Sequence, residues 1–472
     1  MVERSQRFGV VLTVASLAAF MASLDVFIVN VAFDDIGRDF SGSTLAQLSW
    51  ALSAYAIVYA ALLVPAGRIA DRYGRKGGFL VGLALFTAAS VACAASSGVW
   101  WLVAFRVVQA IGAAILTPAS LGLVVASAPR PHRERSVRIW AATGAVAAAL
   151  GPAVGGMLVE ASWRWVFLVN LPVGVAALVA AVLWVPDSKD ASVTRIPDVV
   201  GALLLAASIG ALTLGLVKGP DWGWAAGRTD AAWAAALVGL VGFLASSARH
   251  PVPVIAPSLL RVRAFAWANV TALLFAVPFA AALLTTVLWM QQVWHFSAIR
   301  TGFGVAPGPM MVPLFAAVAH RLSRRVPIGA LVSLGCLLFA AGSVVTLTRV
   351  GAHPDYAGDL LPGWLIGGAG VGFALPAILS SATADLPAAQ AATGSAVVNM
   401  SRQIGTALGV SLVVAVLGTP VGYDEAHTAF QHAWWALAAV AVLGALAAPA
   451  MTPKRAVEAD TAGVAELAAV NR

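Results

Sequence analysis

The chain has 472 residues, of which 60% are hydrophobic and 11% charged, with a formal net charge of +8 and a mean hydropathy of +0.88. Soluble domains carry about 25% charged residues, so this composition excludes a soluble globular protein and leaves an integral membrane protein. Fourteen apolar runs near the roughly 20 residues that cross a bilayer recur at about 9–33, 46–66, 78–97, 101–126, 140–160, 165–185, 198–217, 231–248, 265–290, 301–319, 327–347, 360–383, 395–418 and 429–450. No soluble domain fits between them. The first run is too long, and too closely followed by Asp34 and Asp35, for a cleaved signal peptide, and no small-residue cleavage site follows it.

Charge distribution orients the spans. With the N-terminus inside, 22 of the 29 Lys and Arg fall in inner segments, 6 in outer ones, and Arg106 lies within a helix. That bias places both termini in the cytoplasm, and it reads the positive charge as topological, with no nucleic-acid partner. Trp50, Trp100, Trp101, Trp163, Trp165, Trp222, Trp224 and Trp435 stand near span ends, as an interfacial aromatic belt does. Only 4 of the 29 cations are Lys, which together with the high Ala content points to a bacterial genome and its cytoplasmic membrane. Cys93 and Cys336 fall inside spans and read as packing thiols.

In chain order, span 1 reads "MASLDVFIVNVAF", an apolar run with Asp25 set in it. After span 2 comes "GRIADRYGRK". Gly67 and Gly74 suit a tight turn there, Asp71 suits a cap or a partner for a cation, and Arg72, Arg75 and Lys76 hold the loop inside. Span 4 begins "FRVVQAIGAA". Span 5 carries "GAVAAALGPAVGG", in which Pro152 bends the helix and Gly151, Gly155 and Gly156 allow close helix approach. "SWRWVFLVNLPVG" then reads as an aromatic interface turn with a helix starting at Pro172.

The chain also repeats. Gly112 and Pro118 in span 4 match Gly370 and Pro376 in span 12, and Gly151 and Gly155 in span 5 match Gly405 and Gly409 in span 13. The offsets, 258 and 254 residues, are nearly equal. They predict a six-helix bundle over 1–190, two extra helices over 191–260, a second bundle over 261–452 and a cytoplasmic tail over 453–472. Parallel six-helix repeats are the architecture of a rocking secondary transporter, with its substrate site near the midplane between halves.

Several of these stretches resemble the major facilitator superfamily, and within it the fourteen-span drug/proton antiporters. The Gly67–Lys76 stretch is similar to the superfamily's signature between helices 2 and 3, while the second-half counterpart "AHRLSRRV" has Ser323 and Val326 where Asp71 and Gly74 stand. Span 5 resembles the antiporter signature seen in drug exporters. Arg106, Gln109 and Gly112 match the Arg-x-x-Gln-Gly-x-Gly motif, with Ala110 in place of a glycine. Leu24, Asp25, Val29, Asn30, Val31 and Ala32 match a span 1 motif, with Phe27 replacing a threonine and Phe33-Asp34 replacing Leu-Pro. "SWRWVFLVNLPVG" and "VVNMSRQIGTALG" are also similar to family segments. The resemblance implies conformational roles for Gly67, Asp71, Arg72, Gly74, Arg75, Gly151, Pro152, Gly155 and Gly156.

At about 1.5 Å per residue, Asp25 sits about 12 Å below the outer end of span 1 and Arg106 about 10 Å below that of span 4. An isolated charge at such depth costs several kcal/mol, so the two are expected to face each other or a central cavity. Asp25 then either binds the coupling proton or is a structural partner of Arg106. Asn30, Tyr55, Tyr59, Gln109, Gln291 and Asn399 are candidate substrate contacts, alongside Gln403. Glu160, Arg164, Asp198 and Asp385 read as interfacial, and Arg402 as a cation at the cytoplasmic start of span 13. No Asp or Glu occurs between Asp230 and Asp355, which disfavours dicationic substrates.

No Gly-x4-Gly-Lys-Ser/Thr loop and no His-Glu-x-x-His occurs in the sequence, so neither an ATP-driven pump nor a metalloenzyme is expected, and no cofactor or metal is assigned. The expectation is an all-α, monomeric exporter that expels small lipophilic or cationic drugs or antibiotics in exchange for protons. The alternative is proton-coupled uptake or export of an endogenous metabolite.

Overall fold

A computed structural model of the chain describes residues 2–189 and 195–453. The linker segment 190–194 and the expected tail from 454 onward lie outside the described residues. Among the described residues, fourteen helices are long and apolar enough to cross a bilayer, and there is no strand. Hydrocarbon supplies no partner for backbone polar groups, so helices satisfy them internally.

The helices are α1 (Phe8–Val31), α2 (Leu45–Tyr73), α3 (Arg75–Ala94), α4 (Val99–Ser127), α5 (Arg133–Ala161), α6 (Trp165–Trp184), α7 (Val199–Trp222) and α8 (Gly227–Arg249). They continue with α9 (Arg263–Val293), α10 (Ala298–Leu322), α11 (Ile328–Arg349), α12 (Tyr356–Ala384), α13 (Gln390–Leu417) and α14 (Tyr423–Met451). Every expected span is present. An even number of crossings puts both chain ends on one face, called here the termini face.

Two local expectations are corrected. The Gly67–Lys76 stretch is not a loop, because α2 continues through Tyr73 and α3 begins at Arg75. Gly74 alone makes the turn, at φ 131°, a region that L side chains avoid. Gly67 is a helix-packing position whose added Cβ would lie 3.0 Å from Pro118 of α4. Likewise the helix after Ser162 starts at Trp165 rather than Pro172, as a short turn over Trp165–Leu168 that passes into Asn170–Trp184.

The fold is two six-helix bundles, α1–α6 and α9–α14, and the same glycine-mediated helix crossings recur in both. In the first, a Cβ on Gly112 would meet Phe86 N at 2.6 Å and Gly82 O at 2.9 Å, locking α4 onto α3. In the second, a Cβ on Gly370 would meet Gly335 O at 2.5 Å and Phe339 N at 2.8 Å, locking α12 onto α11. Gly151 and Gly155 press α5 onto α1 at Phe27 and Ile28, and Gly405 and Gly409 press α13 onto α9 at Leu273 and Val277. Small residues at these crossings let backbones approach where lipid supplies no hydrophobic drive.

α7 and α8 form a hairpin, with Gly239 resting on Ser208. Its Ala202, Leu205 and Ile209 share one apolar cluster with Ala56, Ile57, Ala60 and Val64 of α2 and with Val397, Met400 and Ala407 of α13. The extra pair therefore covers the α2–α13 seam between the bundles.

On the face opposite the termini the bundles are closed together. A Cβ on Gly156 would lie 2.5 Å from Ala298 O, Gly302 abuts Pro152 O, and Gln291 Nε2 donates to Val31 O at 3.0 Å. Toward the termini face, α2 and α13 stay joined, with Arg68 donating to Thr393 Oγ1 at 3.1 Å. The α5–α10 contact is concentrated at the opposite end, and the termini-side halves expose Val146 and Leu150 on α5 and Met310 and Leu314 on α10.

Candidate functional site

Asp25, at 0% exposure, and Arg106, at 1%, are an ion pair inside the first bundle. The pair is possible there because a set of polar groups is aimed at it. Gln109 Nε2 donates to Asp25 Oδ1 at 2.8 Å and to Ser90 Oγ at 2.8 Å. Asn170 Nδ2 donates to Asp25 Oδ1 at 3.2 Å and to Ser90 Oγ at 3.3 Å. Arg106 Nη1 donates to Asp25 and, at 2.7 Å, to Gln109 Oε1, while its Nε donates to Ala51 O at 3.0 Å. Three side chains from α4 and α6 thus converge on one carboxylate of α1. A buried ion pair persists only when such hydrogen bonds satisfy its remaining valences.

The flat face of the guanidinium is used as well. Arg106 Cζ lies 4.1 Å from the Tyr55 ring centroid, a cation–π contact strengthened by dehydration. Tyr55 stacks on Tyr59, with centroids 6.0 Å apart and planes 14° apart, and Tyr59 Oη hydrogen-bonds Thr117 Oγ1 at 3.2 Å. The site also touches the closure. Gly151 and Gly155 rest on Phe27 and Ile28, two and three residues past Asp25, while Pro152 and Gly156 of the same helix meet Gly302 and Ala298 of the other bundle. One stretch of α5 therefore contacts both the helix that carries the carboxylate and the contact that holds the bundles shut.

The candidate substrate contacts separate into groups. Gln109 and Tyr55 belong to the charge cluster, at 0% and 2% exposure. Asn30 donates to Val26 O of its own helix at 2.9 Å. Gln291 bridges the bundles at the closed face. Tyr59 and Asn399 stand at the α2–α13 seam. Of the conformational candidates, Asp71 accepts from Arg75 Nε at 2.6 Å, and Arg75 in turn lies over Gly122 of α4. Arg72 stacks at 5.2 Å on the neighbouring Tyr73 ring.

Asp198, expected near the membrane surface, stands at the N-terminal end of α7 and is 1% exposed, capping the helix at Gly201 N (2.7 Å) and accepting from Ser246 at 2.7 Å. Arg164 does lie at the surface, donating to Asp39 at 2.8 Å. Arg402 does not begin its helix. The residues from Ala388 are already helical, which puts Arg402 about 18 Å along α13 from Gln390 at the usual rise per residue.

Sequence reasoning passed over Ser90 and Asn170. Asn170 is the one amide in an otherwise apolar or aromatic α6, a signal of the same kind as Asp25. Among the described residues, no group of three or more His, Cys, Asp or Glu is placed to hold a metal.

A family model described as Major Facilitator Superfamily matches residues 15–410. The chain belongs to the major facilitator superfamily. It is 31% identical, over 88% of its length and 87% of the relative's, to the methylenomycin A resistance protein of Streptomyces coelicolor. It is 31% identical to the Bacillus subtilis protein of the same name, over 93% and 94% of the two chains. It is 30% identical to the tetracenomycin C resistance and export protein of Streptomyces glaucescens, over 87% and 76%. Among solved structures, the POT family transporter PepTSo superposes with a TM-score of 0.68 at 16% identity, covering 93% of this chain and 96% of that one. The Escherichia coli xylose transporter XylE gives 0.64 at 13% identity, covering 93% and 97%. These two establish the major facilitator fold alone, and the relatives in sequence are resistance and export proteins by name. It is a multi-pass membrane transporter rather than an enzyme.

Proposed function

We propose that this major facilitator protein exports small lipophilic compounds of the drug or antibiotic kind in exchange for protons, by alternating access across a bacterial cytoplasmic membrane. The observation that carries the reading is the placement of Asp25. It is a single deep carboxylate held by Arg106, Gln109 and Asn170, on the helix against which the α5 glycines pack. A rearrangement of α5 that opens the closed face alters those contacts and with them the environment of the carboxylate, so protonation and conformation are tied. The resistance and export functions named for the relatives support the direction of transport. The positive-inside charge bias supports cytoplasmic termini, which makes the structure closed to the outside.

Asp25 is occupied by three donors, so it offers no free charge to a cation, and the reading favours lipophilic over cationic cargo. The test is efflux from proteoliposomes under an imposed pH gradient, screened over lipophilic dyes and antibiotics. Proton-driven flux is expected from the natural chain and none from Asp25→Asn. Normal gradient-driven export by that variant overturns the role of Asp25, and absence of proton-coupled flux from the natural chain overturns antiport.

A further inference from the structure

Arg402 is the second deep cation of the molecule, and it lacks what Arg106 has. Its hydrogen-bond partner among the described residues is the Asn399 amide, which accepts from Nη1 at 3.0 Å. No carboxylate pairs with it there, and the side chain it interacts with electrostatically across the seam is the Tyr59 phenol of α2. Asn399, Arg402 and Thr406 recur at helical spacing and share one face of α13, with Thr406 Oγ1 donating to Arg402 O at 3.1 Å. Asn399 is itself fixed by donating to Ser395 O at 2.9 Å. The arrangement is a guanidinium oriented near mid-membrane with donors left over.

A cation held within the membrane span without a counter-ion is costly even where it is only half-buried. The cost falls when a ligand brings the missing charge, and a planar guanidinium matches a carboxylate or phenolate oxygen in geometry as well as sign. We propose that Arg402, oriented by Asn399 and flanked by Tyr59, receives the negatively charged end of the transported molecule, a carboxylate or phenolate on an otherwise lipophilic body. The assignment rests on the export reading above and names its substrate class. Tyr59 in turn stacks on Tyr55, which lies under Arg106, the partner of Asp25.

Fluorescein and rhodamine 123 share a xanthene ring system and differ in charge at neutral pH, the first anionic and the second cationic. Binding of each to the purified full-length protein in detergent is measured by fluorescence anisotropy. The natural chain is expected to bind fluorescein more tightly than rhodamine 123. Arg402→Gln is expected to weaken fluorescein by about tenfold or more, the loss of one charge-assisted contact, with rhodamine 123 unchanged. Arg402→Lys, which keeps the charge, is expected to recover most of the fluorescein affinity and to report on the site should the Gln variant fold poorly. Preference of the natural chain for rhodamine 123, no fluorescein binding, equal losses for both dyes, or unchanged fluorescein binding in Arg402→Gln overturns the assignment. Intact Arg402-dependent fluorescein binding without proton-driven flux in proteoliposomes refutes antiport while upholding the anion site.

Discussion

Gly302 of α10 lies so close to the carbonyl oxygen of Pro152 on α5 that no side chain fits between them. Pro152 follows the glycine that seats α5 on Phe27, so the contact that closes the molecule is mounted on the helix that buttresses Asp25. Gly302→Val is therefore expected to force the bundles apart at that face, with a destabilisation of about 1–3 kcal/mol from overpacking. Spin labels at Met157 and Phe303, both exposed, should report a longer separation in the variant. An unchanged distance would show that this contact does not hold the closure.

Removing either partner of the Asp25–Arg106 pair leaves the other charge buried. Arg106→Ala is expected to cost about 3–5 kcal/mol and to lower the melting temperature in detergent. Asp25→Asn is expected to cost a similar amount, because it strands the buried Arg106 charge and turns an amide NH2 toward one of the donors that both carboxylate oxygens now accept from. The double variant Asp25→Asn, Arg106→Gln should regain part of the stability lost in Arg106→Ala and none of the proton-driven flux. A thermal melt alongside a flux assay separates the two effects.

Asn170 contributes one of three donors to Asp25 and also bonds Ser90. Asn170→Ala is expected to cost about 1–3 kcal/mol, the penalty for leaving buried partners unsatisfied, and to reduce gradient-driven flux several-fold more than it reduces dye binding. Equal reductions in both would make Asn170 a packing residue only.

Two carboxylates outside the spans give opposite pH signatures. Hydrogen bonds from Trp163 and Arg164 hold the Asp39 carboxyl below its usual 3.8. Its stabilisation is present above that value and is lost as the pH falls through the lower folded value. Burial raises Asp35, with Asp34 and Glu160 adding to the effect and Arg38 opposing it. Its favourable contribution exists below 3.8 and is lost as the pH rises through the raised folded value. Asp39→Asn should flatten the acid limb of a melting-temperature profile, while Asp35→Asn should stabilise the protein near neutral pH and not at pH 3.

All fourteen spans were legible because hydrocarbon leaves the chain few alternatives, and each run declares itself by length. The Asp25–Arg106 pair was legible for a related reason, since depth can be counted along helices and two isolated charges at one depth must meet. What the counting missed was fine register. Hydropathy placed the start of span 13 at residue 395, because the Ala, Gln, Thr and Ser residues over 388–395 look weakly apolar, and that error moved Arg402 to the membrane surface. Gln109 and Tyr55, read as candidate cargo contacts, lie against Asp25 and Arg106. A polar residue in a span shows that it has a partner but not which one, and Ser90 and Asn170 went unnoticed because uncharged groups draw less notice than the carboxylate they hold. The Gly67–Arg72 stretch was read as loop because Gly and charged residues break hydropathy windows without breaking a helix.

The α7–α8 hairpin leaves the two sides of the molecule unequal. It caps the groove where α2 meets α13, and nothing among the described residues caps its counterpart between α5 and α10. The hairpin thus walls one flank of the molecule, while on the other Leu150 and Met310 stand exposed and would meet lipid directly.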